Sequence, residues 1–137
     1  VTDSRVASLY LDQVRDILKA YCRQVVAYIF PDGEESKTLD TVEGLYEVLM
    51  ENRFDRKDWL VALGGGVVGD LCGFGAATYL RGVSFIQIPT TQLAQVDSSI
   101  GGKTGVDVSS YKNMVGAFYM PRLVYTNVST LLTLSDE

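Results

Sequence analysis

The sequence predicts an α/β fold with a largely parallel, doubly wound sheet. Two patterns carry that expectation. Short apolar segments alternate with helical periodicities along the 137 residues. Several of those segments are near-continuous in apolar residues, as strands covered on both faces are. The second pattern is a turn. Leu63-Gly64-Gly65-Gly66-Val67-Val68-Gly69-Asp70 joins one apolar segment to a helical one through four glycines, and glycine lets a backbone bend sharply and approach a neighbour closely.

The elements follow in order. Val1-Thr2-Asp3 reads as the end of a strand. Over residues 6–21 the apolar positions Leu9, Val14, Ile17, Leu18 and Tyr21 fit one helix face. Residues 24–30, rich in Val, Ile and aromatics, suit a strand that Pro31-Asp32-Gly33 breaks. A helix over 38–51 places Leu39, Val42, Leu45 and Leu49 on one side, and a charged connection fills 52–58. Residues 59–63 form the strand before the glycines and 70–80 the helix after them. Another apolar strand, 83–88, stops at Pro89. A short helix is expected over 92–97, a loop over 98–105 and a short helix or loop over 114–119. A last strand over 123–127 and the opening of a further helix over 130–134 complete the pattern. No repeat or linker interrupts it, so 1–137 reads as one domain. The chain lacks an initiator Met and closes just after an apolar run, so it is expected to be incomplete at both ends.

Composition narrows the class. A 47% hydrophobic and 21% charged chain is ordinary for a globular protein. The net charge of −5 argues against a general nucleic-acid binder. Residues 1–58 hold 12 acidic and 8 basic side chains, whereas 59–135 hold 3 and 4. Acidic groups thus thin out from the glycine turn onward, where an anionic ligand would sit. Cys22 and Cys72 have neither metal nor redox spacing and are expected to be buried free thiols. The chain contains no histidine, which removes the usual zinc site and any His-dependent triad. No apolar run approaches the ~20 residues of a membrane span.

The motifs point to anions. Gly64 to Gly69 satisfies G-x-G-x-x-G between a strand and a helix, and the unpaired N–H groups of a helix start attract phosphate. The ordinary dinucleotide fingerprint also wants an acid about 20 positions on. The corresponding strand, Phe85-Ile86-Gln87-Ile88-Pro89, has none, so this is not that fingerprint. Asp70 either sits favourably at the helix N-terminus or accepts a hydrogen bond from a cofactor. Thr90 and Thr91 either cap the helix that follows or offer hydroxyls to a ligand at the carboxyl end of the sheet. Asp97-Ser98-Ser99-Ile100-Gly101-Gly102-Lys103-Thr104-Gly105 packs a carboxylate, three hydroxyls, an ammonium and three glycines into nine residues. As a nucleoside-triphosphate loop it fails, because Asp97 stands where the first glycine is required. Arg81 is either a helix C-terminal dipole partner or a phosphate ligand.

Together these stretches resemble 3-dehydroquinate synthase of the shikimate pathway. The matching text is the glycine turn with Asp70, then Ala76-Ala77-Thr78-Tyr79-Leu80-Arg81-Gly82, Gln87-Ile88-Pro89-Thr90-Thr91, the run from Gln95 to Gly105, and Lys112-Asn113-Met114-Val115-Gly116-Ala117-Phe118. Pro31-Asp32-Gly33-Glu34 with Lys37 fits a further family run. The resemblance implies a Rossmann-like nucleotide-binding domain, with the family's C-terminal helical domain absent. It implies NAD as cofactor and a divalent metal, zinc or cobalt, whose ligands lie outside this chain. It places Asp3 near the adenosine, Glu34 and Lys37 at the nucleotide, Gly65, Gly66 and Val67 at the pyrophosphate, and Asp70 at the nicotinamide half. Thr90, Thr91 and Thr133 would line the cofactor and Lys112 the site edge. Asp97, Lys103 and Asn113 would meet the substrate, and Arg81 the substrate phosphate in a neighbouring subunit.

The implied enzyme is a carbon–oxygen lyase. It turns a sugar-acid phosphate, 3-deoxy-D-arabino-heptulosonate 7-phosphate, into 3-dehydroquinate and phosphate through a transient oxidation, with NAD restored each turnover. A homodimer in the cytoplasm is expected, or in the plastid for a plant or alga. Partners from nucleic acid or membrane are not expected, and the fragment alone is expected to be inactive. Arg5 stands where the family has Asn, Tyr111 where it has Gly after a deviating Val108-Ser109-Ser110, and Ser135-Asp136 where it has a Pro-containing turn. Two other functions fit the same residues: a related NAD-dependent sugar-phosphate cyclase, and a non-catalytic NAD-binding module.

Overall fold

A computed structural model describes residues 1–98, 101–127 and Ser129, with the backbone alone for Asp97 and Ser98. Five parallel strands form the sheet, in the order β2-β1-β3-β4-β7. They are β1 (Thr2–Asp3), β2 (Ile29–Phe30), β3 (Trp59–Gly64), β4 (Ser84–Pro89) and β7 (Leu123–Val124). A separate antiparallel hairpin pairs β5 (Lys103–Val108) with β6 (Tyr111–Phe118). The chain leaves β1 in one direction to reach β2 and builds β3, β4 and β7 in the other. That reversal lies between β1 and β3, and ligands of open α/β sheets bind outside the carboxyl ends of the strands at such a point. Asp3 and Gly64 stand at those two ends.

The helix after β1 begins at α1 (Ser4–Val6), continues through a π turn at Ala7–Leu11 and ends as α2 (Asp12–Lys19). The wide turn shifts the helical phase. Leu9, Ile17 and Tyr21 are therefore exposed, and Tyr10, Leu11, Val14 and Leu18 form the half-buried side instead. Helix α3 (Leu39–Glu51) buries Val42, Leu45 and Leu49 of its expected face but leaves Leu39, in its first turn, exposed, and Thr38 Oγ1 accepts from Thr41 N at 3.2 Å as its N-cap. Helix α4 (Gly66–Thr78) packs against α3, β3, β4 and β5 and carries Val68, Leu71, Cys72, Phe74 and Ala76 into the core. Gly73 lets the hairpin lie close, since a Cβ there would sit 2.4 Å from Thr104 Cγ2.

Several expectations need correction. The strand expected over 24–30 shrinks to Ile29–Phe30, because its ladder partner β1 offers only Thr2 and Asp3. Helix α4 starts at Gly66, four residues before Asp70, since the glycines themselves adopt the first turn. The helix or loop expected over 114–119 is part of strand β6, and Lys103, Thr104 and Gly105, expected in a loop, open strand β5. The last strand is two residues long. Cys22 is exposed just beyond the end of α2, whereas Cys72 is buried and burial pushes its thiol up to about 11. The helix expected over 130–134 lies outside the described residues. Among the described residues, no helix is long and apolar enough to cross a membrane.

Candidate functional site

The glycine turn builds an open helix N-terminus. Gly64 ends β3 at φ +157°, and a Cβ on it would fall 2.5 Å from Val68 Cγ2. Gly65 is the N-cap of α4 and brings no side-chain cap with it. Thr91 Cγ2 lies 3.1 Å from where a Gly65 Cβ would be. Backbone pairing then resumes, with Gly69 N donating to Gly65 O at 3.0 Å and Thr90 N to Gly64 O at 3.0 Å. The first-turn N–H groups of α4 are left to face the crevice at the positive end of the helix. Thr90 is buried beside them, and Thr91 Oγ1 accepts from Ala94 N at 3.2 Å, capping the next helical segment.

A polar cluster lies against the same helix one turn later. Gly33, at φ +111°, turns the chain after β2 and brings Lys37 inward. Lys37 is 4% exposed, pairs with Asp70 Oδ2 at 2.7 Å and donates to Asn113 Oδ1. Asn113 comes from a bulge in the hairpin. Between the pairs Val106↔Val115 and Val108↔Tyr111, Asp107 alone faces Lys112, Asn113 and Met114. A bulge of this kind re-aims side chains, and Asn tolerates the left-handed φ of +57° found there. Asp107 closes the network, donating its N–H to Lys37 O at 2.9 Å and accepting from Asn113 N at 2.8 Å through Oδ1.

The cluster perturbs its carboxyls. Burial raises Asp70 above the usual carboxylate range, an effect that the Lys37 ammonium opposes but does not cancel. Glu34 is raised first by burial and then by its hydrogen bond with Asp107. Burial pushes Asp107 up, but the Asn113 N–H, the Glu34 carboxyl and the Lys37 and Lys112 ammonium groups together hold it low. Glu34 is therefore the member of that pair that keeps a proton longer as pH rises.

The structure thus brings together Glu34, Lys37, Asp70, Lys112 and Asn113 beside the turn of Gly65, Gly66 and Val67. Asp3 stands at the neighbouring strand end, where its Oδ1 caps α1 by accepting from Val6 N at 2.8 Å. Lys103 is not in this group. It is exposed at the open end of the hairpin opposite Phe118, four to five strand residues from Asn113, or about 13–17 Å. Arg81 is exposed beyond the opposite end of α4, about 20 Å from the glycine turn along a helix of that length. The Asp97 side chain and Thr133 lie outside what is described. Two residues escaped the sequence reading, Asp107 and Gln87. Gln87 is a polar residue within an apolar strand stretch, and that anomaly was the available signal; Asp107 lies in a segment of mixed polarity that carries no comparable one.

The uncapped helix start, with Lys37 and Lys112 near it, suits a dinucleotide diphosphate. Among the described residues, no group of three or more His, Cys, Asp or Glu could by itself hold a metal.

A family model for 3-dehydroquinate synthase, N-terminal, matches residues 27–137. The 3-dehydroquinate synthase of Nitrosomonas europaea is 54% identical over 137 residues, covering all of this chain and 37% of its own length. The chloroplastic 3-dehydroquinate synthase of Arabidopsis thaliana is 53% identical over 139 residues, covering all of this chain and 31% of its own. Among solved structures, a 2-deoxy-scyllo-inosose synthase complexed with carbaglucose-6-phosphate, NAD+ and Co2+ superposes with a TM-score of 0.91 at 35% identity, covering 96% of this chain and 36% of that one. The chain therefore spans about a third of the length of the curated relatives it matches. Its match over most of its length places it in the N-terminal domain family of 3-dehydroquinate synthase.

Proposed function

We propose that this chain is the NAD-binding domain of a 3-dehydroquinate synthase. The observation that carries the reading is the uncapped N-terminus of α4 at the reversal point of the sheet, with Lys37, Asp70 and Asn113 tied together beside it. The N–H groups of Gly65, Gly66 and Val67 would take the diphosphate, with Asp3, Glu34 and Lys37 toward the adenosine side. Asp70 would face the nicotinamide half, and Thr90, Thr91, Thr133 and Lys112 would complete the wall. Bound NAD supplies reversible hydride acceptance. Asn113, Asp97 and Lys103 would hold the sugar-acid phosphate.

Arg81 belongs to a second copy's site in this reading. Its place beyond the far end of α4 supports that assignment and, with it, a homodimer. Zinc or cobalt would be bound by residues outside this chain. The compartment would be the cytoplasm, or the plastid in a plant or alga.

Calorimetry and a phosphate assay test the proposal. The 137-residue chain is expected to bind NAD and to release no phosphate from 3-deoxy-D-arabino-heptulosonate 7-phosphate with NAD and zinc. Absence of NAD binding at millimolar concentration overturns the nucleotide assignment, and phosphate release above background overturns the claim of an incomplete site. The likeness to 2-deoxy-scyllo-inosose synthase favours, as the second reading, a cyclase for a different sugar phosphate. Substrate competition in the full-length protein separates the two.

A further inference from the structure

Strand β4 alternates, so that Phe85, Gln87 and Pro89 are buried while Ser84, Ile86 and Ile88 are half-buried. Position 87 thus carries a primary amide where its neighbours on the same face are apolar. Gln87 is 7% exposed, and its Oε1 has no hydrogen-bond partner among the described residues. Native folds rarely leave a buried amide oxygen unmatched, and the exceptions call for a partner that is not protein.

The surroundings say what that partner is. Gln87 lines a cavity of about 10 Å³ together with Ala62, Gly64, Gly65, Gly66 and Gly69. That volume admits about one water and nothing larger. The helix presses on the amide from above, since a Cβ on Gly69 would lie 3.1 Å from Gln87 Nε2. A water there needs two or more polar partners. The Gln87 oxygen is one, and the glycine turn that lines the same cavity carries backbone N–H groups that no side chain caps.

We propose that Gln87 holds a single buried water beneath the glycine turn, and that this water forms the floor of the anion cradle. One of its hydrogens goes to Gln87 Oε1. Its oxygen accepts from a first-turn N–H of α4, and its second hydrogen is left for a phosphate oxygen of the ligand. The water site stands on the cavity and the orphaned oxygen. Its part in the cradle rests on the nucleotide reading.

Three measurements test it. A high-resolution crystal structure of the nucleotide-free chain is expected to have an ordered water within about 3.2 Å of Gln87 Oε1, and a cavity that is dry or filled by a side chain overturns the proposal. Thermal unfolding of Gln87→Met gives an answer that needs no nucleotide. Removing a truly unmatched oxygen would raise Tm, whereas removing the anchor of a bound water lowers it, so a Tm unchanged or raised counts against the site. Calorimetry with NAD is expected to give a Kd weaker by about 5- to 20-fold for Gln87→Met than for the wild type. Equal affinities overturn the water's part in the cradle. A wild type that takes no NAD overturns both that part and the nucleotide reading, while the water peak still decides the site itself.

Discussion

Lys37 is the pivot at the scale of single residues. Its ammonium is almost wholly buried and is held by Asp70 and Asn113. Lys37→Met leaves a half-buried carboxyl without its cation, and urea unfolding should register a loss of about 1–3 kcal/mol, below the usual cost for a fully buried pair. Asp70 carries the pH dependence. Its pKa is raised on folding, chiefly by burial. The folded state then holds that proton more tightly, so the stabilising contribution is full below the ordinary carboxylate value of about 4 and is lost as pH rises through the folded pKa. Asp70→Asn removes this term. The stability of wild type relative to the variant should therefore fall as pH rises above about 4, measured by urea unfolding at several pH values. A flat difference would contradict the burial argument. Asp70 and Lys37 were legible as single residues in the sequence, but their pairing was not, because 33 positions of chain separate them.

Among the elements, α4 and the hairpin decide the site. Gly73 sets their separation. Gly73→Ala drives a methyl onto Thr104 Cγ2 and the Phe85 ring, which lies 3.2 Å from the new Cβ. Such overpacking costs about 1–3 kcal/mol, visible as a lowered Tm. Adding Thr104→Ser removes the opposing methyl and keeps the hydroxyl that donates to Ala117 O at 2.7 Å; at least half of the loss should return. Helix α3 was readable because a cap and a 3.6-residue stripe are local signals. Strand β6 was not, because its apolar residues Met114, Val115 and Phe118 follow no buried alternation and are exposed. Only pairing with β5 makes it a strand, and the bulge within that pairing delivers Asn113.

The whole molecule is packed unevenly about its sheet. On one side α3, α4 and the hairpin enclose the core. On the other, a cavity of about 620 Å³ separates Leu11, Val14 and Leu18 from Val61, Leu63 and Ile86, and α2 buries no residue. Few buried contacts mean low local stability. Hydrogen exchange should accordingly be fastest over Ser4–Val6 and Asp12–Lys19 and slowest in β3, β4 and α4, and uniform protection would refute this two-sided picture. By itself the sequence determined the α/β class, the glycine turn, the capped helix α3 and the family resemblance, because each is written in contiguous residues whose preferences act within a few positions. Tertiary structure alone decided that Asp107 joins Glu34, that Lys37 turns inward to Asp70 and Asn113, that Lys103 stands apart, and that Gln87 lies under the turn. Those relations depend on which distant segments the sheet and hairpin bring together, and no local preference encodes that.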